Sequence, residues 1–417
     1  MKAKTARNIW NKLRKNRSSR YASNLLILMV FVALFSDFLA NDKPLYCRYK
    51  GKAYFPVLRS YAVNLGWASW PRDMNRGQWK TLAYQAVVWP PVPYSASELD
   101  ARNARFTGPF DHQRVSSLRF RHWLGTDQLG RDLLAGMIHG TRVAMLVGFI
   151  AMGLASVIGI ALGGLAGFFG DYRLRTGPLQ LTLCLLSLLP AFFYAFVARA
   201  ATLEQALQEG NFLPALGLSL LLLLGIPLVF SRLGALLEKL LHLAKASKPF
   251  TLPVDMLVMR SIELINSIPT LLLILAVVAV LPHPSIFYVM IIIGLISWTG
   301  IARFVRAELL HIREQSYIEA ARSLGLPERR IFLKHALPNA LGPVWIAIAF
   351  GFAGAILAEA TISFLGIGLA AEDVSWGSLL RSARSNISAW WMAVFPGIAI
   401  FITVTIFNIL GEQLKSK

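Results

Sequence analysis

Apolar runs long enough to cross a membrane alternate with short charged segments along most of this chain. A membrane-spanning helix needs about 20 predominantly apolar residues. The pattern predicts eight spans at residues 25–40, 143–170, 176–198, 210–231, two within 264–302, 336–358 and 385–411. The pair within 264–302 is divided at 281–285, where two prolines are expected to interrupt the helix. The predicted fold class is an all-α integral membrane protein.

The distribution of Lys and Arg predicts how these spans are oriented. Residues 1–20 form a basic tail with eight Lys or Arg and no acid, which places the N-terminus in the cytoplasm. Residues 21–40 are predicted to be the first transmembrane helix, uncleaved because no small-residue cleavage site follows them. The long polar segment 41–142 is then expected outside, and long segments translocate largely regardless of their charge. Eight spans return the C-terminus to the cytoplasm, although the outer loop 359–384 carries Arg381 and Arg384, beside Glu372 and Asp373.

Composition narrows the class of protein further. Of 417 residues, 55% are hydrophobic and the net charge is +20. A soluble protein would not carry so much apolar surface, and the positive charge flanks the apolar runs instead of forming the stripe that binds nucleic acid. Cys184 lies inside an apolar run, so no disulfide with Cys47 is expected, and no zinc or redox spacing exists.

Motifs for chemistry are absent from the sequence. It contains no G-x-x-x-x-G-K-[ST] phosphate-binding loop, no H-E-x-x-H and no G-x-S-x-G. The chain is therefore predicted to be no enzyme by itself, with neither a nucleotide site nor a metal site of its own.

Residues 303–338, which we call the charged segment, interrupt the apolar pattern between two predicted spans. Ala, Leu, Glu and Arg in its first part favour a helix, and Gly325 is placed to adopt the left-handed conformation after the helix ends. Pro327 fits the first turn of a second, short helix, and Pro338 marks the start of the next span. The segment is predicted to be helix, tight turn and short helix on the cytoplasmic side. By composition alone, it could also be an amphipathic pair lying on the membrane surface.

The charged segment resembles the EAA loop of ABC importer permeases. Glu-Ala-Ala is followed at the family's spacing by Gly325 and by Leu337-Pro338, although His335 stands where the consensus has isoleucine. In that family the short helix docks in a groove of the ATPase and transmits its closure. The resemblance implies these coupling residues: Glu319, Ala320, Ala321, Gly325, Leu326, Pro327, Arg330, Leu337 and Pro338. It also implies a type I importer bundle of six core transmembrane helices, to which this chain adds two inserted ones.

Three further stretches, residues 122–142, 363–380 and 40–58, resemble segments of dipeptide and oligopeptide permeases. The first contains Gly-Thr-Asp-x-x-Gly-Arg-Asp and the second a Trp-Gly pair. For Asp127 and Asp132, helix capping or an ion pair with Arg131 is favoured over a substrate contact, because the segment precedes its span.

The insert 176–252, about 75 residues long, has no counterpart in that family. The resemblance to the family resumes over residues 253–417. The insert carries two apolar runs, and an even number of added spans keeps the charged segment on the cytoplasmic side. It is predicted to be an accessory transmembrane hairpin. The alternative is a role in binding lipid or another membrane protein.

The transport pathway is expected to be lined by polar groups that face the bundle interior. The candidates are Asn266, Ser267, Ser297, Thr299, Glu359 and Thr361, together with Ser363 and Asn408. Glu359 is the only carboxylate among them, and its predicted position near the outer boundary leaves open whether it lines the pathway or is simply solvated. Gly159, Gly163 and Gly167, four residues apart, predict a close helix crossing.

The resemblance implies a permease subunit of an ATP-driven importer of peptides or peptide-like solutes in the bacterial inner membrane. Its expected partners are a homologous second permease, cytoplasmic ATPase subunits that bind ATP and Mg²⁺, a periplasmic peptide-binding protein and membrane lipid, but no nucleic acid. Two alternatives remain. A secondary transporter would show inverted repeats, which the sequence lacks, and a membrane scaffold would act through residues 41–142.

Overall fold

The computed structural model describes residues 16–71, 74, 79–208, 212–240, 250–280, 285–367 and 374–415. The chain divides into two compact units. One comprises Met1–Gly164 and Ile262–Lys417, and the other is Leu165–Ser261.

Six helical runs in the described residues are long and apolar enough to cross a membrane: Leu133–Phe169, Pro178–Val197, Pro214–Leu240, Ile286–Ile312, Glu328–Leu365 and Trp390–Leu414. A seventh candidate is the pair Val254–Asn266 and Thr270–Ala279, which is bent by 79°. The prediction of an all-α membrane protein is confirmed. The predicted first span falls on a helix whose first turns, RSSRYASN, are polar, so this helix is not among the six and its role as a span stays a prediction.

The first unit begins with helices and a small sheet. Its elements are α1 (Arg17–Leu34), α2 (Ser36–Leu39), β1 (Tyr46–Tyr49), β2 (Lys52–Tyr54), α3 (Pro56–Asn64) and β3 (Ala86–Val88). The sheet is antiparallel with the order β2-β1-β3, and Cys47 of the central strand pairs with Tyr54 and Val87. Trp79 and Trp89 bury the Cys47 thiol, which is free, as is that of Cys184. Burial raises the pKa of the Cys47 thiol, so this side chain acts as a small apolar group in the core of the sheet.

Helix α4 (Leu133–Phe169) follows this segment and begins ten residues before the predicted span. Its 37 residues reach about 55 Å at about 1.5 Å per residue, well beyond a hydrocarbon core of about 30 Å. A Cβ added to Gly163 would lie 2.3 Å from the Ala302 carbonyl oxygen, and one added to Gly159 would lie 2.8 Å from Ile301. These two glycines therefore form the predicted close crossing.

The second unit contains the insert. Its elements are β4 (Arg175–Thr176), α5 (Pro178–Leu186), α6 (Leu188–Phe192), a π-helical turn (Phe193–Val197), α7 (Ala200–Gln208), α8 (Phe212–Leu240) and β5 (Phe250–Thr251). Helix α8 continues nine residues beyond the predicted span, through residues that the sequence pattern assigns to a cytoplasmic loop. β4 pairs with β5 in antiparallel fashion, and the Leu252 amide donates to the Leu174 carbonyl at 2.9 Å. The two ends of the insert are thus hydrogen-bonded neighbours.

The remaining elements are α9 (Val254–Asn266), α10 (Thr270–Val280), α11 (Ile286–Ile312), α12 (Ser316–Ser323), α13 (Glu328–Ile331), a π-helical turn (Phe332–Ala336), α14 (Leu337–Leu365), α15 (Trp376–Ala383) and α16 (Trp390–Lys415). Of the predicted break at 281–285, only Ser285 lies within the described residues, and it caps α11. The bend between α9 and α10 was not predicted.

Candidate functional site

The helices of the charged segment differ in length from those that the sequence predicts. Helix α11 runs without interruption from its span to Ile312. The helical conformation stops there, and α12 begins at Ser316. The predicted separate short helix is also wrong, because α13, the π-helical turn and α14 form one helical run, Glu328–Leu365. Charged residues favour helix as readily as apolar ones, so the change in hydropathy does not end either helix.

The tight turn after α12 is the one that the sequence predicts. Gly325 has φ +75°. Its amide donates to the Arg322 carbonyl oxygen at 2.8 Å, and the Leu326 amide donates to the Ala321 carbonyl oxygen at 3.2 Å. This pair of hydrogen bonds is a Schellman motif, which closes a helix with a left-handed residue. Since a Cβ on Gly325 would meet nothing within 4 Å, backbone conformation and not space requires glycine there.

An ion pair spans the turn. Arg322 Nε donates to Glu328 Oε1 at 2.8 Å, with both side chains partly exposed. Glu319 and Arg330 make no ion pair with each other among the described contacts and lie exposed. Their charges therefore face outward, where a partner can meet them.

Six of the nine residues that the resemblance implies for coupling are exposed, and we call them the exposed surface of the charged segment. Glu319, Ala320, Gly325, Pro327 and Arg330 are exposed, and Pro338 is exposed further along α14. Ala321 is buried, and Leu326 and Leu337 are half-buried.

The buried base of this surface consists of Ile318 and Ile331, both fully buried. Leu324 was not predicted to belong to the site, yet 80% of it is exposed beside Gly325. Its only sequence signal is an apolar side chain next to the helix-ending glycine.

The pathway candidates do not gather at one place. Thr299 Oγ1 donates to Asn266 Oδ1 at 3.4 Å, so these two lie together. Ser267 is exposed and donates to the Leu264 carbonyl of its own helix, and Thr361 does the same with Leu357. The two remaining weaker candidates, Ser297 and Asn408, are half-buried.

Glu359 contradicts the expectation that it begins a solvated outer loop. Helix α14 continues to Leu365, and only 2% of Glu359 is exposed. Ser363 Oγ donates to Glu359 Oε1 at 2.5 Å. Glu359 is therefore held inside a helix junction, and the helix ends seven residues beyond the predicted end of the span.

The aspartates before α4 have structural positions. Asp132 Oδ1 accepts from the Ala135 amide at 2.7 Å and caps α4. Asp127 Oδ1 accepts from the amides of Leu129 and Arg131, both at 2.8 Å, and so closes the loop. The geometry agrees with the structural role that the sequence favours.

A buried histidine, which sequence reasoning missed, joins this loop to the preceding segment. His122 Nδ1 lies 2.8 Å from Asp132 Oδ2, and His122 Nε2 lies 3.2 Å from Asp100 Oδ2. The imidazole stacks on Tyr94 with ring centroids 4.3 Å apart. Burial opposes the charged form, but the two carboxylates prevail and raise the pKa of His122. Among the described residues, no three His, Cys, Asp or Glu side chains are grouped to hold a metal ion.

Part of the sequence matches a known protein family. Residues 246–417 match the family described as "Binding-protein-dependent transport system inner membrane component". The match begins at the end of the insert and contains the charged segment.

Individual relatives extend the similarity over the rest of the chain. The inner membrane ABC transporter permease protein YejE of Escherichia coli is 25% identical over 97% of this chain and 94% of its own length. The dipeptide transport system permease protein DppC of Alkalihalophilus pseudofirmus is 28% identical over 72% of this chain and 73% of its own. A putative peptide transport system permease protein of Brucella suis is 43% identical over 39% of this chain and 54% of its own. Over most of its length the chain is thus similar to inner-membrane ABC transporter permeases such as YejE and DppC, and residues 246–417 match the permease family of binding-protein-dependent transport systems.

Proposed function

We propose that this chain is the transmembrane permease subunit of an ATP-driven importer of peptides or peptide-like solutes. The observation that carries the proposal is the charged segment, whose exposed residues surround a Schellman turn at Gly325. A surface of small, charged and apolar groups at a rigid turn suits docking to a folded partner. The names of relatives that transport dipeptides, di- or tripeptides and glutathione support the substrate class.

The motor in this proposal is a cytoplasmic ATPase that binds ATP and Mg²⁺, because the chain has no phosphate-binding loop of its own. Closure of the ATPase moves the charged segment, and the bundle alternates between its two openings. A second homologous permease completes the pathway, and a periplasmic peptide-binding protein delivers the solute. The proposed location is the bacterial inner membrane with both termini cytoplasmic.

Reconstitution tests this function directly. The chain is co-expressed with the neighbouring permease, ATPase and binding-protein subunits, purified, and placed in proteoliposomes with labelled di-, tri- and tetrapeptides. We expect uptake that requires ATP on the ATPase side of the membrane and that stops when the binding protein is omitted. Uptake driven by an ion gradient without ATP would instead establish a secondary transporter. Peptide-independent activity of residues 41–142 alone would establish the scaffold alternative.

A further inference from the structure

Glu359 lies near the end of a helical run that begins in the charged segment. The run Glu328–Leu365 is continuous. At about 1.5 Å per residue, Glu359 lies about 45 Å along this helix from Glu328. One helix therefore connects the proposed ATPase-docking surface to the far end of the span.

Three buried polar side chains meet at that far end. Glu359 accepts a hydrogen bond from Ser363, and the hydroxyl of Ser375 is its second partner. Exposure is 2% for Glu359, 1% for Ser363 and 0% for Ser375. A buried carboxylate is costly unless hydrogen bonds satisfy it. These three side chains thus form a buried polar contact between α14 and the residue that precedes α15.

The first turn of α15 is fitted between two spans. Ser375 caps the helix in a capping box with Ser378. Trp376 Nε1 donates to the Met137 carbonyl of α4 at 3.1 Å. A Cβ added to Gly377 would lie 2.4 Å from the Ala360 carbonyl of α14. We call Glu359, Ser363 and residues 375–377 the distal latch.

We propose that Glu359 is a positioning residue for transport, which holds the distal latch closed until the ATPase moves the charged segment. The inference rests on the proposed function. A displacement at Glu328 is carried along a continuous helix, and the buried hydrogen bonds give the far end two discrete arrangements, closed or separated. Glu359 touches neither nucleotide nor solute in this scheme and acts through the position of α15.

Accessibility of a cysteine beside the latch tests this. Val374 precedes Ser375 and is only 8% exposed, and cysteine at this position is smaller than valine. Val374→Cys is placed in a chain with Cys47→Ala and Cys184→Ala, and its maleimide labelling is measured in the assembled complex. We expect labelling to be about tenfold faster with ATP and vanadate than without nucleotide.

Variants of Glu359 separate positioning from charge. Glu359→Leu should label rapidly even without nucleotide, because neither serine hydroxyl keeps its acceptor. Glu359→Gln should stay protected, because its amide oxygen accepts the same hydrogen bonds. Thr405→Val is the matched control, since the Thr405 hydroxyl donates to the Phe401 carbonyl of its own helix. Ser375→Ala, a milder change, replaces Glu359→Leu if that variant does not assemble.

The outcomes test the latch separately from the proposed peptide substrate. If labelling ignores both nucleotide and Glu359→Leu, the latch is wrong even when peptides are imported. If Glu359→Gln labels as rapidly as Glu359→Leu, charge and not hydrogen bonding is required, which overturns the positioning role. If labelling responds as expected but no peptide enters, the latch stands and the substrate assignment fails.

Discussion

The helices of the core and those of the inserted hairpin bury very different fractions of their apolar residues. In the core span Ile286–Ile312, 56% of the most apolar stretch is buried, whereas in the hairpin span Pro214–Leu240 the share is 6%. A helix that is apolar all round and largely exposed suits a lipid environment. The core spans instead present faces to one another, and movement at one end can therefore reach the other.

Polar contacts show the same difference. In the core they join parts that are distant in sequence, such as Arg142 to Asp37 at 2.7 Å and the Trp391 indole to the Thr126 carbonyl at 3.2 Å. The side-chain hydrogen bonds described for the hairpin join residues of the hairpin to one another.

Within the hairpin, Glu238 accepts from the Leu179 amide at 2.7 Å, and Gln180 donates to Ser231 at 2.9 Å. The hairpin is thus built as a closed addition. Transport should depend on the core in detail and on the hairpin only in part.

The largest effect is expected at the turn of the charged segment. Gly325→Val should lower uptake at least about a hundredfold, while the membrane part still assembles. A β-branched residue at φ +75° costs about 1–3 kcal/mol and reshapes the turn. Uptake in proteoliposomes at matched abundance measures this.

The matched control is Gly225→Val in the hairpin, where an added Cβ meets nothing within 4 Å and φ is not positive. It should leave uptake close to that of the unaltered chain. Normal transport by Gly325→Val would remove the coupling role of the turn, and equal loss in both variants would remove the contrast between the two regions.

A charge reversal on the exposed surface should act less strongly. Glu319→Lys should lower the uptake obtained per ATP hydrolysed by about tenfold, which corresponds to about 1.4 kcal/mol of lost docking. Glu412→Lys makes the same charge change near the end of α16 and should leave the ratio unaltered. Hydrolysis and uptake are measured together, and an unchanged ratio for Glu319→Lys counts against docking through this residue.

Removing the hairpin should have a moderate effect. Joining residue 175 to residue 253 is geometrically mild, because Leu174 and Leu252 are already hydrogen-bonded. Loss of helix packing of about 1 kcal/mol would reduce uptake about fivefold, and lower temperature should help the variant to assemble. A C-terminal reporter checks orientation. Zero uptake by a correctly oriented complex that still binds its ATPase would place the hairpin in the pathway or its gate.

The smallest effect on transport is expected from pH and the segment before α4. The pKa of His122 is raised in the folded state, so its two carboxylate contacts stabilise fully below its unfolded pKa of about 6.5. This stabilisation is lost as pH rises through the higher folded pKa. Amide exchange is itself base-catalysed, so the readout is the protection factor, corrected for the intrinsic rate at each pH, which should fall near Asp100 and Asp132 as pH rises through that value.

His122→Asn should accelerate that exchange already at neutral pH, by an amount equivalent to about 2 kcal/mol. The exposed His112→Asn serves as control and should change little. Exchange in α5 and α8 of the hairpin should not follow this titration. A pH-independent protection factor near Asp132 in the unaltered chain would show that the imidazole stays in one charge state.

Local patterns in the sequence determined much of this protein. The apolar runs predicted the membrane helices because a span must satisfy its own backbone and cover it with apolar side chains. The turn at Gly325 was predictable because its hydrogen bonds join residues three to five apart. The capping role favoured for Asp132 is equally local, since its partner amide is three residues away.

Tertiary structure decided the rest. The burial of Glu359 depends on Ser375, which lies on another element and reaches it only through the fold. The pairing of His122 with Asp100 and the adjacency of Leu174 and Leu252 have the same origin. The helical run Glu328–Leu365 begins inside the charged segment. Hydropathy marks where a chain can contact lipid, whereas a helix ends only where its backbone hydrogen bonds stop.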